Sequence, residues 1–185
     1  MILPLTNPHD VKNLGAPPEF DFLSPIVEPV ELADRLWENM KHYNGVGLSA
    51  TQVGIHTKVF VMGKDDFRMN VFNPKVIQIS PELKAFKEGC LTWPFLMLSI
   101  RRPVDCTVTY YNEHNEAKNI KLEDMSARVF LHEYDHMLGV DFTQRASKLA
   151  LDIGMKKRDK MLKKLERSGK LEKADGDTYS IPQTS

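Results

Sequence analysis

The chain has 185 residues, the size of one typical domain, with 42% hydrophobic and 27% charged residues. That is ordinary globular composition and excludes full disorder. Twenty-five Lys and Arg balance twenty-five Asp and Glu, which argues against a basic surface spread over the whole chain while leaving room for a local patch.

Residues 1–27 are punctuated by Asn-Pro, Pro-Pro and Ser-Pro and are expected to form an irregular arm on the surface. A helix is expected over 29–43. Pro29 suits its first turn, Ala33, Leu36, Trp37 and Met40 form one apolar face, and Asn44-Gly45 stops it. GVGLSATQVG (45–54) reads as a glycine-rich turn around small residues. TKVFVMG (57–63) reads as a strand, and Val71 to Ile79 as another, interrupted by Pro74. RRPVDCTVTYY (101–111) alternates, with Val104, Cys106, Val108 and Tyr110 on one face. Asn112 to Asn115 is turn-like, and NIKLED (119–124) completes a hairpin. Asp124 is placed to cap a helix that runs to about Leu138 and stops at Gly139. A second long helix is expected over 147–167, and the polar residues 168–185 are expected to be a disordered tail. Without βαβ regularity the fold class is α+β, and residues 1–167 are read as one domain.

Two cysteines, Cys90 and Cys106, are too few for a disulfide framework and favour a reducing compartment. No apolar run approaches the roughly 18 residues of a membrane helix. The start, MILPLTNPHDVKN, lacks the basic and long apolar stretches of a signal peptide, so the chain is expected to work where it is made.

The strongest local signal is His132-Glu133-Tyr134-Asp135-His136. On a helix, positions four apart share one face, so two imidazoles at this spacing can hold one ion while the intervening Glu reaches water beside it. Apolar neighbours (Val129, Phe130, Leu131, Tyr134, Met137, Leu138) imply a buried helix, in which these polar groups need partners. Asp135 is read as an acceptor behind the site or a member of an ion pair. Phe142 stands where a metzincin has its third His, which excludes that subclass. Asp141 is conceivable as a third ligand. Cys90, in Glu88-Gly89-Cys90-Leu91-Thr92, is the remaining soft candidate. One thiolate, two imidazoles and an open position make a catalytic set for Zn²⁺, Fe²⁺, Co²⁺ or Ni²⁺. Cys106, between strand valines, reads instead as a small core hydrophobe.

Together, Gly45-Val46-Gly47-Leu48-Ser49-Ala50-Thr51-Gln52, Glu88-Gly89-Cys90-Leu91-Thr92 and His132-Glu133-Tyr134-Asp135-His136 resemble the three motifs of the peptide deformylases, in order and spacing. ILPL near the start, the helix before Asn44 and GVDFTQR are also similar, so the resemblance covers roughly residues 2–150. The GLSA and ARVF stretches are closest to bacterial and organellar forms. The resemblance implies mixed, mostly antiparallel sheets around a central metal-binding helix with a C-terminal helix, one catalytic domain over 1–167, and removal of the N-formyl group from the initiator methionine of nascent peptides. It implies one divalent ion on Cys90, His132 and His136, with Fe²⁺ native and Zn²⁺, Ni²⁺ or Co²⁺ as substitutes. Glu133 would act as general base and then acid, and Gln52 with the Leu91 backbone N–H would stabilise the oxyanion. A neutral amide suits that place, because a cation would also hold the carboxylate product. Gly47 and Gly89 would lie close to substrate. Val46, Leu48, Val129 and Leu91 are candidates for the methionine slot, and the peptide would pair as a strand beside 45–47 and 87–89.

Some positions depart from the family pattern. Thr51 replaces a usual Pro, Thr92 a usual Ser, and Leu131 a usual Gln. Trp93 to Met97 is bulky and apolar, and is expected to cap the substrate channel. By its position in the family pattern, the resemblance implies that Arg102 pairs with Glu88 and holds the Cys90 loop. From Lys148 to Lys173 ten Lys or Arg stand against four Asp or Glu, a net of +6. Leu149, Ile153, Leu162 and Leu165 are expected to face the body, and the family resemblance implies ribosome docking by the basic face. The expected state is a monomer away from membranes. The expected compartment is the cytoplasm of a bacterium or of a virus-infected bacterial host, or an organelle for a form without its transit segment. Three other readings remain at this stage: a general zinc endopeptidase, a closed structural metal site with a fourth protein ligand, and a ribosome-binding module descended from the enzyme that has lost activity.

Overall fold

The computed structural model describes residues 1–64, 66–170, 172–173 and 179–180. The N-terminal arm is more ordered than its composition suggests. It contains a short helix, α1 (Pro8–Leu14), and is pinned along its length. Leu3 N–H donates to Asn39 Oδ1 (2.6 Å), Thr6 N–H to the Gln52 carbonyl (2.8 Å) and Phe20 N–H to Asn73 Oδ1 (2.7 Å). Helix α2 (Pro29–His42) buries Leu32, Ala33, Leu36, Trp37 and Met40, the face its periodicity predicted. Asn44, at φ 55°, then turns the chain into the first strand.

Strands β1 (Gly47–Ser49), β2 (Val59–Lys64), β3 (Phe67–Ile79), β6 (Asp105–Tyr111) and β7 (Ala117–Glu123) form one sheet in the order β1-β2-β3-β6-β7. Strand β2 is buried on both faces. Val59 and Val61 pack with α2, while Phe60 and Met62 join the cluster beneath helix α3 (Asp124–Met137). Pro74 cannot donate a ladder bond, and it falls where the β3–β6 register shifts between Phe72 and Lys75. The expected 112–115 turn joins β6 to β7.

Strands β4 (Leu83–Cys90) and β5 (Trp93–Pro103) form a separate antiparallel hairpin. Sequence reasoning left this hairpin out and ran one strand from 101 to 111, whereas the chain changes sheets at Val104. Residues 83–87 are all exposed, so β4 has no alternation to read. The Trp93–Met97 segment is not a free cap: it opens β5, Leu96 is buried, and only Met97 of the five is exposed. Each pairing among the described residues is antiparallel.

Helix α3 packs between the sheet and the hairpin, touching β1, β2, β6 and β7 as well as β5. Asp124 is its first residue rather than its cap. It lies at φ 47°, its N–H donates to the Val104 carbonyl, and no side-chain cap bond forms. Gly139, at φ 69°, ends the helix as expected. Helix α4 (Lys148–Arg167) is capped by Ser147 Oγ, which accepts from the Ala150 N–H (3.2 Å), and lies on β5. Its phase differs from the expected one. Leu162 is buried, but Leu149 is 69% and Ile153 46% exposed, and Gly154 and Arg158 are on the buried stripe instead. Of the segment expected to be disordered, Glu172–Lys173 (β8) pairs with Tyr179–Ser180 (β9), and 171, 174–178 and 181–185 lie outside the described residues. No described helix is long and apolar enough to cross a membrane.

Candidate metal centre

Two elements, helix α3 and the β4–β5 hairpin, converge on one buried point. Helix α3 carries His132 and His136 one turn apart, with ring centroids 5.5 Å from each other. The hairpin supplies Cys90 at the end of β4, where Cys90 and Trp93 face each other across the two-residue turn Leu91–Thr92. Glu88 faces Leu98 and Cys90 faces Trp93, so the register shift sets residues 94–97 of β5 opposite Gly89 alone: the extra residues bulge from β5, and Glu88 and Cys90, two apart on β4, are both buried. One ligand atom from each of Cys90, His132 and His136 lies within 4.8 Å of the others. Cys90 Sγ is 3.4 Å from His136 Nε2. Asp141 is not part of this set, since its carboxylate accepts from Trp93 Nε1 (2.7 Å) and from Thr143.

The donor chemistry fits a divalent ion. Burial opposes ionisation of Cys90, but the charges of His136 and His132 outweigh it and draw the thiol down to about 6. The imidazoles lose charge to burial and regain it from Cys90, so His132 stands well above its ordinary value and His136 above it too. Three buried donors holding protons among themselves are what a cation replaces. His136 Nδ1 has no partner among the described residues, whereas His132 Nδ1 is 3.1 Å from Glu88 Oε2, which leaves Nε2 of His132 for an ion. By contrast burial, aided by Asp105, pushes Cys106 up to about 11, as suits a core thiol.

Behind the ligands lies a buried ion network. Arg102 grips both Glu88 oxygens (2.8 and 3.0 Å), as the sequence led us to expect, and its other arm reaches Asp135 Oδ2 (2.8 Å) and the Leu131 carbonyl. Arg128 adds a bond to Glu88 and one to the Ile100 carbonyl. Asp135 also binds Arg145, so it is a member of this ion-pair network. Burial opposes the Glu88 charge, but His132 and Arg102 lower its carboxyl to about 2.

Glu133 points away from this network, toward β1. Ser49 Oγ donates to its Oε2 (2.7 Å), and a Cβ on Gly47 would come within 2.5 Å of its Oε1. Gly47 is therefore required for the Glu133 carboxylate to lie where it does. Gln52 follows β1. Its Oε1 accepts from the Ser49 N–H (2.9 Å), which turns its amide N–H₂ toward Cys90 Sγ (3.3 Å) and Thr92 Oγ1 (3.0 Å). Thr92 Oγ1 is itself 3.0 Å from the sulfur. Leu91 is half-buried at the turn, and its side chain would meet a Cβ on Gly45 at 2.9 Å, so the two loops touch. Gly89 and Val46 are exposed, and Val129 is half-buried. Leu48 has no exposed surface and packs in the core under α2, so it reaches a methionine slot only as part of its floor.

Sequence reasoning missed Ser49, Arg128 and the Trp93–Asp141 bond. Arg128 was the most accessible, because it lies four residues before His132 on the same helical stripe.

This arrangement defines a metal-dependent hydrolase: two helical imidazoles and a thiolate, with a carboxylate and an amide at the rim. The comparisons narrow the class. The profile described as Polypeptide deformylase matches residues 21–152, and the chain belongs to this family, whose members are amide hydrolases that deformylate nascent peptides. It is 42% identical over 114 residues to the peptide deformylase of Thermotoga sp. (strain RQ2), covering 62% of this chain and 70% of that one. It is 33% identical over 150 residues to that of Wolbachia pipientis subsp. Culex pipiens, covering 74% and 84%. The crystal structure of peptide deformylase from Ehrlichia chaffeensis in complex with actinonin superposes with a TM-score of 0.76 at 29% identity, covering 86% of this chain and 97% of that one.

Proposed function

We propose that this chain releases formate from the N-terminal formyl-methionine of nascent peptides, with Cys90, His132 and His136 holding the ion. The observation that carries this is the buried trio of donor atoms within 4.8 Å of one another. One soft thiolate with two imidazoles accommodates Fe²⁺, Zn²⁺, Ni²⁺ or Co²⁺, and the family resemblance makes Fe²⁺ the proposed native ion. When bound, the ion supplies Lewis acidity that makes water a nucleophile at neutral pH. Glu133 takes the proton of the attacking water and returns it to the leaving amine, with Ser49 and Gly47 fixing the carboxylate. The Gln52 amide and the Leu91 N–H donate to the formyl oxygen as it gains charge. A closed structural site would need a fourth protein ligand, and the described metal-capable group holds three residues.

Substrate pairing along 45–47 and 87–89 is supported by the edges available there. Strands β1 and β4 each pair with one strand among the described residues. Val46, Val129 and Leu91, with Gly45 and Gly89 giving access, are the proposed surroundings of the methionine side chain. Both cysteines are free and buried, in keeping with a reducing compartment such as the cytoplasm.

Ribosome docking is proposed for the outer face of α4, where Lys156, Lys157, Lys160, Lys163 and Lys164 are all exposed. Because α4 also packs on β5, charge substitutions test this better than truncation. Changing four of these lysines to Glu is expected to abolish salt-sensitive ribosome binding and leave turnover of a short peptide intact. Unchanged binding would reject the role.

The test of the activity is formate release from formyl-Met-Ala-Ser, without oxygen to spare the thiolate, for the parent and Glu133→Ala. One ion per chain in both and formate from the parent alone are expected. Equal formate release by both would reject Glu133 as the base, and a parent that holds metal without releasing formate would reject the activity.

A further inference from the structure

The two halves of the ligand set come from separate elements; besides the Glu88–Arg102–Arg128 network behind the ligands, one contact ties the tip of the hairpin itself to the segment that follows α3. Trp93 faces Cys90 across the hairpin turn. Its indole N–H donates to Asp141 Oδ2 at 2.7 Å. Asp141 lies just past the end of α3, five residues after His136, and its carboxylate is itself fixed: Oδ1 accepts from the Thr143 N–H at 2.8 Å and from the Thr143 hydroxyl. The bond therefore ties the thiolate-bearing tip to the imidazole-bearing helix.

A second tether comes from α4. Arg158, only 7% exposed, donates from Nε to the Pro94 carbonyl at 3.0 Å and lies 5.5 Å over the Trp93 ring. A stacked guanidinium and a directed hydrogen bond on adjacent residues hold both the ring and the backbone that follows the turn. Gly154, one turn earlier, lets α4 come this close. A Cβ there would sit 2.5 Å from Leu98 Cδ2 and 3.2 Å from Leu96 Cδ1. A glycine inside a helix is destabilising relative to alanine, and here it permits the contact.

We propose that Trp93, held by Asp141 and Arg158, is a latch that fixes the Cys90 tip against α3 and sets how long the ion stays bound. This rests on the assignment of Cys90, His132 and His136 as ligands. The two imidazoles share one rigid helix, so the ion escapes when the hairpin tip swings its sulfur away, and the latch resists that movement. Trp93 and Arg158 are positioning residues and touch no reacting atom. Contacts that orient metal ligands from behind typically change metal affinity by about 10–100-fold, and rigid support of the ligand geometry is how they act. On this reading α4 is part of the metal site's scaffold as well as a basic surface.

The test uses the full chain loaded with Co²⁺, whose thiolate charge-transfer absorption reports the Cys90 bond. Release to excess chelator is followed by the decay of that band. Trp93→Phe keeps the ring and removes the donor to Asp141, and is expected to release Co²⁺ about tenfold faster than the parent. Arg158→Met should also release it several-fold faster, with Arg158→Lys restoring part of the difference because an ammonium can still reach the carbonyl and the ring. Asp159→Asn, at an exposed neighbour, should match the parent. If Arg158→Met does not fold, Trp93→Phe carries the expectation alone. A parent that shows no thiolate band would overturn the ligand assignment and the latch with it. A parent with the band, and variants that release Co²⁺ at its rate, would overturn the latch alone.

Discussion

Glu133 has its two oxygens in different surroundings, and that division is what a proton shuttle needs. Ser49 Oγ holds Oε2 at 2.7 Å, while Oε1 lies over Gly47, where no side chain fits. Gly47→Ala is therefore expected to displace the carboxylate by a fraction of an ångström to an ångström and lower kcat for formate release by about 10²-fold. Measured metal content should be unchanged, and a parent-like kcat would show that Glu133 needs no such placement. Gln52→Ala removes a neutral donor held toward the sulfur by the Ser49 N–H. A loss of about 3 kcal/mol of barrier stabilisation is expected, with metal retained, and full turnover in this variant would take Gln52 out of the mechanism. The ligands were legible as letters because helical spacing alone puts His132 and His136 on one face, and Cys90 is the soft residue outside a strand alternation. Ser49 was not legible. Nothing in a run of small residues says that a hydroxyl will meet a carboxylate 84 positions later.

At the scale of elements, the site depends on two faces made by two different periodicities. The strand period puts Glu88 and Cys90 on one side of β4, and the helical period puts Arg128, His132 and Asp135–His136 on one side of α3. Arg102, from β5, closes the network between them. Arg102→Ala leaves Glu88 and Asp135 short of a buried partner, and the unfolding free energy is expected to fall by roughly 3–5 kcal/mol. Metal titration should show weaker binding as well, because Glu88 orients His132. Unchanged stability and affinity would mean that Arg128 and Arg145 suffice. Helices α2, α3 and α4 were readable from apolar spacing and stop signals. The β4–β5 hairpin was not, because β4 exposes most of its residues and the Leu91–Thr92 turn lacks the Asn-Gly or Asp-Gly pair that marks tight hairpins. The phase of α4 was misjudged for a related reason. Its buried stripe includes Gly154 and Arg158, residue types that a hydrophobicity pattern assigns to solvent.

For the whole molecule, the burial of charge links stability to pH. The Glu88 carboxyl is lowered from its ordinary 4.5 to about 2, so its contribution to stability is complete above the unfolded value and disappears as pH falls from about 4.5 through 2. The displaced pKa corresponds to on the order of 3 kcal/mol. Denaturation midpoints measured from pH 6 to pH 2 should drop through this window, and Glu88→Gln should flatten the drop. An equally steep acid limb in the variant would place the titrating group elsewhere. Every functional statement above depends on one sulfur and two ring nitrogens sharing an ion, and X-ray absorption at the metal edge of the zinc-loaded protein addresses that most directly. One sulfur at about 2.3 Å and two imidazole nitrogens at about 2.0 Å are expected, with the sulfur lost in Cys90→Ser. A shell of nitrogen and oxygen alone in the parent, or a sulfur that survives the substitution, would contradict it.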